Sequence, residues 1–224
     1  MGTTSQTGPL AAGTRLAAGM PTAAASSPIN PIPVSRLPGL RLLALDAHGR
    51  ALDWLHWQDA ATLYAREAVA WTLGSPCLVV RGGICRASGE RSRMQLHPII
   101  AARGQLPARA LDPTPALNNA ALFARDQNLC LYCGREFHRG ALTRDHVQPV
   151  SRGGQDTWEN VVSACFHCNS RKGNRTPQQA GMPLLAVPYR PSWIEHLILS
   201  NRHILADQMA FLKAQLPKKR PRAA

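Results

Sequence analysis

Residues Arg125 to Pro177 read RDQNLCLYCGREFHRGALTRDHVQPVSRGGQDTWENVVSACFHCNSRKGNRTP, and this stretch carries most of the chemistry in the chain. It holds two Cys-x-x-Cys pairs with thirty-one residues between them: Cys130 with Cys133, and Cys165 with Cys168. Pairs at this spacing are typical of a tetrahedral zinc site. Four thiolate ligands leave no coordination position open, so we predict a structural Zn²⁺. Two redox pairs or plain buried thiols are the alternative, although no βαβ pattern of a redox domain surrounds these cysteines.

The residues between and after the cysteine pairs predict a strand, a loop, a second strand and a helix. Apolar and β-branched residues have strand-like spacing in LTRDHV at 142–147, SRGG at 151–154 is turn-forming, and WENVVSA at 158–164 is typical of a short return strand. The helix is expected from about Phe166 to Gly173, because glycine suits a helix C-terminus. Asn169 lies about 100° around this helix from Cys168, so the helix allows a metal site on each side.

Four polar residues in this pattern indicate a catalytic site. Asp145 and His146 end the first strand, Asn160 lies in the return segment, and Asn169 lies in the helix. Together with the cysteine pairs, they resemble the motif of the HNH nuclease family, whose fold is the ββα-metal core. The resemblance implies that His146 is the general base and that Asp145 and Asn169 bind a catalytic metal ion. It also implies that Asn160 fixes the loop and orients His146.

The chemistry of phosphodiester hydrolysis agrees with these implied roles. The reaction needs an activated water and stabilisation of the charge that develops on the phosphate. An imidazole such as that of His146 exchanges protons near neutral pH. Oxygen ligands from Asp145 and Asn169 favour Mg²⁺ or Mn²⁺ over a second zinc ion. We therefore expect Zn²⁺ as the structural cofactor and Mg²⁺ or Mn²⁺ as the catalytic one.

Basic residues near the predicted site are expected to bind the nucleic-acid backbone without reading bases. They are Arg144, Arg171, Lys172 and Arg175. The alternative for the helix residues is a solvated basic face that balances the negative charge of a four-thiolate zinc site.

The composition of the chain also favours a polyanionic partner. The formal net charge of the 224 residues is +13, and 22 of the 26 basic residues are arginines. Guanidinium groups pair with phosphate through two hydrogen bonds, so DNA is the expected partner. RNA is a minor alternative, because the sequence contains no RNA-specific module.

The fold class expected for the whole chain is α+β, with a zinc-stapled ββα-metal core, a small N-terminal α+β lobe and a C-terminal helix. The expected organisation is a disordered tail at 1–38, the lobe at 39–117, the nuclease domain at 118–185, a helical extension at 186–216 and a basic tail at 217–224. The tail at 1–38 is rich in Ala, Thr, Ser, Gly and Pro and has too few large apolar groups to form a core.

Within the lobe, Leu40 to Asp46 is predicted as a strand, and residues 58–72 have apolar side chains at helical spacing. Residues 81–93 contain four arginines and three glycines, which indicates either a basic loop that touches DNA or a solvated hairpin tip. Residues 192–212 predict an amphipathic helix with an interruption near Ser200 to Arg202. We expect this helix to pack on the core, and the alternative is a dimerisation helix.

The sequence therefore predicts a metal-dependent HNH endonuclease that hydrolyses DNA. The alternative is a non-catalytic four-cysteine zinc module that binds nucleic acid or a partner protein. We expect a cytoplasmic protein without a membrane partner, since no secretory signal pattern or membrane-length apolar run is present and reduced cysteines suit metal binding. The oligomeric state is left open, with a homodimer as one outcome.

Overall fold

The computed structural model describes residues 39–103 and 114–216. The predicted tails at 1–38 and 217–224 and the end of the predicted lobe at 104–113 lie outside the described residues. The strands are β1 Arg41–Leu45, β2 Ala51–His56, β3 Val69–Leu73, β4 Leu78–Ile84, β5 Arg91–Leu96, β6 Ile99–Ala102, β7 Leu142–His146 and β8 Val161–Cys165. The helices are α1 Trp57–Ala65, α2 Asn119–Arg125, α3 Phe166–Lys172, α4 Pro177–Ala180, α5 Trp193–Ser200 and α6 Ala206–Ala214. This α+β architecture confirms the predicted fold class.

The N-terminal lobe is built on a four-stranded sheet with the strand order β2-β1-β6-β3. The central strands β1 and β6 are parallel, and the two edge strands are antiparallel to them. Both faces of β1 are apolar and buried, as expected for a strand with packing on each side.

The two faces of the sheet pack against different parts of the chain, because side chains alternate between the faces of a strand. Leu43 and Leu45 lie in one core cluster with Leu197 of α5 and Leu212 of α6. The adjacent Leu42 lies in a second cluster. That second cluster also contains Ala60 of α1 and the base of the hairpin β4–β5, through Leu78 and Leu96.

The helix predicted over 58–72 is shorter in the structure and is followed by a strand. The helix α1 ends at Ala65, and Glu67 has a positive φ of 54° that no α-helix accommodates. Residues 69–73 then form the edge strand β3. The prediction was wrong for these residues because apolar groups of a strand happened to continue the helical spacing of α1.

The strand–loop–strand–helix order predicted around the cysteines is confirmed. Strands β7 and β8 pair antiparallel with Leu142 opposite Cys165 and His146 opposite Val161. The helix α3 follows β8 without a loop and ends at Gly173, whose φ is 55°. We call β7, β8, α3 and the segment between the strands the ββα unit.

A buried arginine joins the ββα unit to the elements around it. Arg125, at the end of α2, donates to the carbonyl oxygens of Trp158, Val161 and Tyr189 and forms an ion pair with Asp126. Asp126 in turn accepts from the backbone N–H of Ser163 in β8 at 2.7 Å. A guanidinium with so many fixed partners holds α2, β8 and the segment before α5 in one arrangement.

The predicted C-terminal helix is divided in two at the expected interruption, since α5 ends at Ser200 and α6 begins at Ala206. Both helices pack on the lobe sheet, and α5 also contacts α2. The amide of the buried Gln208 donates to the carbonyl oxygens of Arg41 and Pro98. None of the helices in residues 39–103 and 114–216 has the length and apolar character needed for a membrane crossing.

Candidate active site and metal centre

The four cysteines come together in one cluster. The Sγ atoms of Cys130, Cys133, Cys165 and Cys168 all lie within 4.8 Å of one another. Cys130 and Cys133 lie in a tight turn that is closed by the backbone pairing of Leu129 with Glu136, and the other two lie at the start of α3. Four converging thiolates form the donor set of a structural zinc site. The arrangement fits Zn²⁺, and it supplies no position for a water or a substrate.

A nearby cation complements the charge of this cluster. Four thiolates around Zn²⁺ carry a net charge of −2, and the guanidinium of Arg135 hydrogen-bonds Cys133. Burial opposes ionisation of Cys133, but hydrogen bonds from Arg135 and its neighbours outweigh burial and lower the pKa of this thiol to about 7. Cys165 also accepts from the backbone N–H of Cys168 at 3.4 Å. The hydrogen bonds to Cys133 stabilise its thiolate, which is the form that binds metal.

His146 at the end of β7 forms a polar group with two other residues. Its Nε2 atom lies 3.0 Å from Oδ1 of Asp156, while Oδ2 of Asp156 accepts from Arg144. Arg144 and His146 are two residues apart on one strand, so they share a face of the β7–β8 hairpin. Burial opposes ionisation of Asp156, but the hydrogen bonds and charges of Arg144 and His146 outweigh it and hold the pKa of Asp156 below its usual range.

Asn160 holds the two ends of the loop that carries Asp156. Its Oδ1 accepts from the backbone N–H of Gln148 at 2.9 Å, and its Nδ2 donates to the carbonyl oxygens of Gln148 and Gln155. A side chain at Gly154 would collide with the carbonyl of Gln148, so the close approach requires glycine. The loop therefore presents Asp156 to His146 in a defined position.

Asp145 faces the opposite side of β7 and is fully engaged by two side chains. Its Oδ1 accepts from Nζ of Lys172 at 2.9 Å, and its Oδ2 accepts from the hydroxyl of Tyr132. Lys172 also donates to the carbonyl oxygen of His146 at 2.8 Å. Burial, and next the hydrogen bond and charge of Asp145, raise the pKa of Tyr132, so its hydroxyl keeps its proton and donates.

Asn169 lies on α3 close to the same side of β7. Its Nδ2 donates to Oγ1 of Thr143 at 2.9 Å, which ties α3 to the middle of the strand. The residues predicted to bind a catalytic metal ion are thus near neighbours in the fold. However, Asp145 is only 5% exposed and both of its oxygens already have donors. A divalent ion on Asp145 would have to bind a buried carboxylate whose counter-charge Lys172 already supplies, so the predicted ligand role requires a rearrangement of these side chains.

Residues 130–175 match the family model that describes HNH endonucleases. This stretch is similar to an HNH endonuclease domain, and we call it the HNH domain. The match begins at the first cysteine of the zinc cluster, runs through β7, β8 and α3, and ends at Arg175. A comparison with curated proteins finds no match for the chain.

The basic residues predicted to bind nucleic acid have different surroundings in the HNH domain. Arg171 and Arg175 are exposed, and Arg175 donates to the carbonyl oxygens of Arg171 and Lys172. Arg144 is partly exposed and bonded to Asp156 and Asn119. Lys172 is only 1% exposed, so its ammonium cannot reach a phosphate from this position. The prediction that Lys172 binds nucleic acid is therefore corrected. Its ammonium instead balances the charge of the buried Asp145 carboxylate.

Three residues of the HNH domain were missed in the sequence: Tyr132, Arg135 and Asp156. The first two lie between and just after the first two cysteines, where spacing alone does not indicate the direction of a side chain. Asp156 lies in the loop between the strands, ten residues after His146. The sequence signal for this partner of His146 was an acidic residue in the loop that connects β7 to β8.

Proposed function

We propose that this protein is a zinc-stapled endonuclease that hydrolyses phosphodiester bonds in DNA. The HNH domain supports a nuclease-type function in general, and one observation supports the catalytic version of it. That observation is the pairing of His146 with Asp156 on a loop that Asn160 pins. A carboxylate that orients an imidazole in this way is the arrangement by which general bases are held in place.

The pairing with Asp156 defines which nitrogen of His146 acts as the base. An ionised carboxylate only accepts hydrogen bonds, so Nε2 of His146 carries a proton and donates a hydrogen bond to Asp156. In the neutral ring, the lone pair then lies on Nδ1. Among the described residues, none forms a hydrogen bond to Nδ1. We assign this atom as the acceptor of the water proton.

In the proposed reaction, water attacks phosphorus while its proton passes to Nδ1 of His146. The bond from phosphorus to the leaving oxygen breaks, and that oxygen takes a proton from solvent. Asp156 stabilises the imidazolium that forms, because its carboxylate lies 3.0 Å from Nε2. Arg144 shares the carboxylate of Asp156 and lies on the same face, so its guanidinium is placed to attract the phosphate.

Mg²⁺ or Mn²⁺ as the catalytic ion, with Asp145 and Asn169 as ligands, stays a prediction. HNH nucleases use divalent ions, and such an ion would stabilise charge on the phosphate. For Asp145 to serve as a ligand, Lys172 or Tyr132 would have to leave the carboxylate. No step of the proposed reaction passes through this ion.

DNA is the proposed substrate because Arg171 in α3 and Arg175 just after α3 are exposed and the chain as a whole is strongly basic. We propose a cytoplasmic location, since a thiolate zinc site is compatible with a reducing compartment. A homodimer remains one prediction for the oligomeric state.

Plasmid cleavage by the zinc-loaded protein tests this function. Supercoiled DNA is incubated with wild type, His146→Ala or His138→Ala, with Mg²⁺, with Mn²⁺ and without added metal. His138 is an exposed histidine of the same domain and is the matched control. We expect nicking or linearisation by wild type and by His138→Ala, and at least a 100-fold loss in His146→Ala with unchanged zinc content. A fully active His146→Ala protein would exclude His146 as the base.

The second candidate function is a non-catalytic zinc module that binds nucleic acid or a partner protein. The buried pairing of Asp145 with Lys172 favours it, because this pairing occupies a carboxylate that the catalytic version assigns to a metal ion. DNA binding by wild type without cleavage under any of the metal conditions would support this candidate.

A further inference from the structure

The hairpin β4–β5 carries a continuous exposed segment with a strong positive charge. Every residue from 81 to 93 is exposed. The segment contains Arg81, Arg86, Arg91 and Arg93, and Glu90 is its one acidic residue, so its formal charge is +3. It is an extended ribbon rather than a loop, since β4 runs to Ile84 and β5 begins at Arg91.

The register of the ribbon places three of its arginines on one face. Arg81 is paired directly with Arg93, and Arg91 is paired with Ile84 beyond a bulge. Residues paired across strands share a face, and so do residues two apart on one strand. Arg81, Arg91 and Arg93 therefore project from the same side, together with the apolar Ile84.

The other face of the ribbon anchors it to the lobe. Val80 is paired with Met94 and Leu78 with Leu96, and all four belong to the core cluster that also contains Ala60 of α1. The apolar face of the ribbon is therefore packed against the lobe. The arginine face is directed away from that core. Because successive side chains of a strand alternate between its two faces, the arginine side chains cannot turn towards the core without a shift in strand register.

An anionic partner would stabilise this arrangement. Like charges directly opposite each other on two strands destabilise a hairpin. Within the described parts of the chain, no acidic side chain forms a salt bridge with the arginines of the ribbon. A partner that supplies closely spaced negative charges would remove the repulsion between Arg81 and Arg93.

A two-stranded ribbon has the dimensions of the DNA major groove, which is about 12 Å wide and admits such a ribbon. Guanidinium groups on one face can bond the phosphates that line the groove, and Ile84, which is 63% exposed, can contact base edges. We propose that the hairpin β4–β5 is a second DNA-binding element that enters the major groove of duplex DNA through its Arg81, Arg91 and Arg93 face. The choice of DNA as the partner rests on the proposed function.

The test measures DNA binding in a His146→Ala background, where no cleavage interferes. The ribbon variant combines Arg81→Gln, Arg91→Gln and Arg93→Gln. The control combines Arg50→Gln, Arg66→Gln and Arg202→Gln, which are exposed arginines elsewhere and change the net charge by the same amount. Binding to a 20-base-pair duplex is followed by fluorescence anisotropy over a range of salt concentrations, and zinc content and thermal unfolding confirm that each variant is folded.

We expect the ribbon variant to lower the slope of log K against log salt by about 2 to 3, because each lost phosphate contact contributes about 0.9. Its affinity at 0.1 M salt should fall by roughly 100-fold, whereas the control should change the slope by less than about 1. Equal effects of the two variants, or none from the ribbon variant, would overturn the proposal. An equal loss with duplex RNA would also overturn it, because the A-form major groove is too narrow for a ribbon.

The outcome is separable from that of the nuclease proposal. If wild type does not cleave DNA and the ribbon variant still loses duplex affinity, the catalytic proposal fails and the ribbon proposal stands. If wild type cleaves DNA and the ribbon variant binds DNA as the control does, the ribbon proposal fails and the catalytic proposal stands.

Discussion

Nζ of Lys172 lies 2.9 Å from Oδ1 of Asp145, and both side chains are almost fully buried. Through this ion pair, the last residue of α3 is attached to β7 one residue before His146. The same ammonium holds the carbonyl oxygen of His146. Lys172 is therefore a positioning residue for the proposed base, although it is distant from any phosphate at the surface.

Replacing Lys172 by Met should destabilise the protein by about 3 to 5 kcal/mol, because the carboxylate of Asp145 is left buried without its counter-charge. Urea unfolding of the zinc-loaded protein measures the change. The exposed neighbour Arg171→Met is the control and should stay within about 0.5 kcal/mol of wild type. The double variant Asp145→Leu/Lys172→Met should recover part of the loss, since it removes both buried charges. Equal effects of Lys172→Met and Arg171→Met would contradict this role.

Mn²⁺ titration tests whether Asp145 binds a catalytic ion. With Lys172 and Tyr132 on its two oxygens, we expect the DNA-free protein to show no saturable Mn²⁺ binding that depends on Asp145 or Asn169. Electron paramagnetic resonance of free Mn²⁺ gives the bound fraction for wild type, Asp145→Asn and Asn169→Ala. Binding in wild type that both variants lose, with their zinc retained, would show that the side chains around Asp145 rearrange and would support the ligand assignment made from the sequence.

Asp156→Asn should lower the rate of DNA cleavage by about 10- to 100-fold, which is a part of the 10²- to 10⁴-fold that a general base contributes. The amide no longer stabilises the imidazolium of His146, and the ring loses the partner that selects its tautomer. Single-turnover cleavage measures the effect at saturating protein. Glu136→Gln changes an exposed acidic residue of the same domain and is the control. A rate unchanged in Asp156→Asn would show that the contact with His146 is incidental.

Cys165→Ser should lose the zinc ion and unfold the HNH domain, because metal binding contributes directly to the folding free energy of such sites. Zinc content by atomic absorption and near-UV circular dichroism report the two effects. Cys85→Ser, at an exposed cysteine outside the cluster, should keep both signals. A stable and active Cys165→Ser protein without zinc would mean that the cluster is not structural.

The sequence was sufficient to predict that the four cysteines come together and that the strand–loop–strand–helix order surrounds them. Ligand spacing and a glycine at the end of α3 are local signals, and local signals do not depend on the rest of the fold. Helix caps are local signals of the same kind, and the side chains of Asn118 and Thr176 accept backbone hydrogen bonds at the starts of α2 and α4.

The sequence also contained a signal that Lys172 is buried. The prediction of a surface role gave more weight to the charge of this residue. Lys172 follows the zinc ligand Cys168 by four residues, so the two share a face of α3 that is directed inward. Local sequence does not show that the carboxylate of Asp145 is buried and accepts a hydrogen bond from the ammonium of Lys172. The contact between Asp156 and His146 was missed for a related reason, because it depends on the path of a loop that Asn160 sets with three hydrogen bonds.

The packing of α5 and α6 on the N-terminal sheet has a consequence for folding during synthesis. The hydrogen bond from Gln208 to Arg41 joins residues 167 positions apart, and Leu197 and Leu212 complete the core around Leu43. The ribosome therefore completes the HNH domain, with its four-cysteine cluster, before the lobe that precedes it in the chain can close. Until the two C-terminal helices emerge, one apolar face of the first sheet stays open to water, and transiently exposed apolar surface of this kind makes a folding chain prone to aggregation.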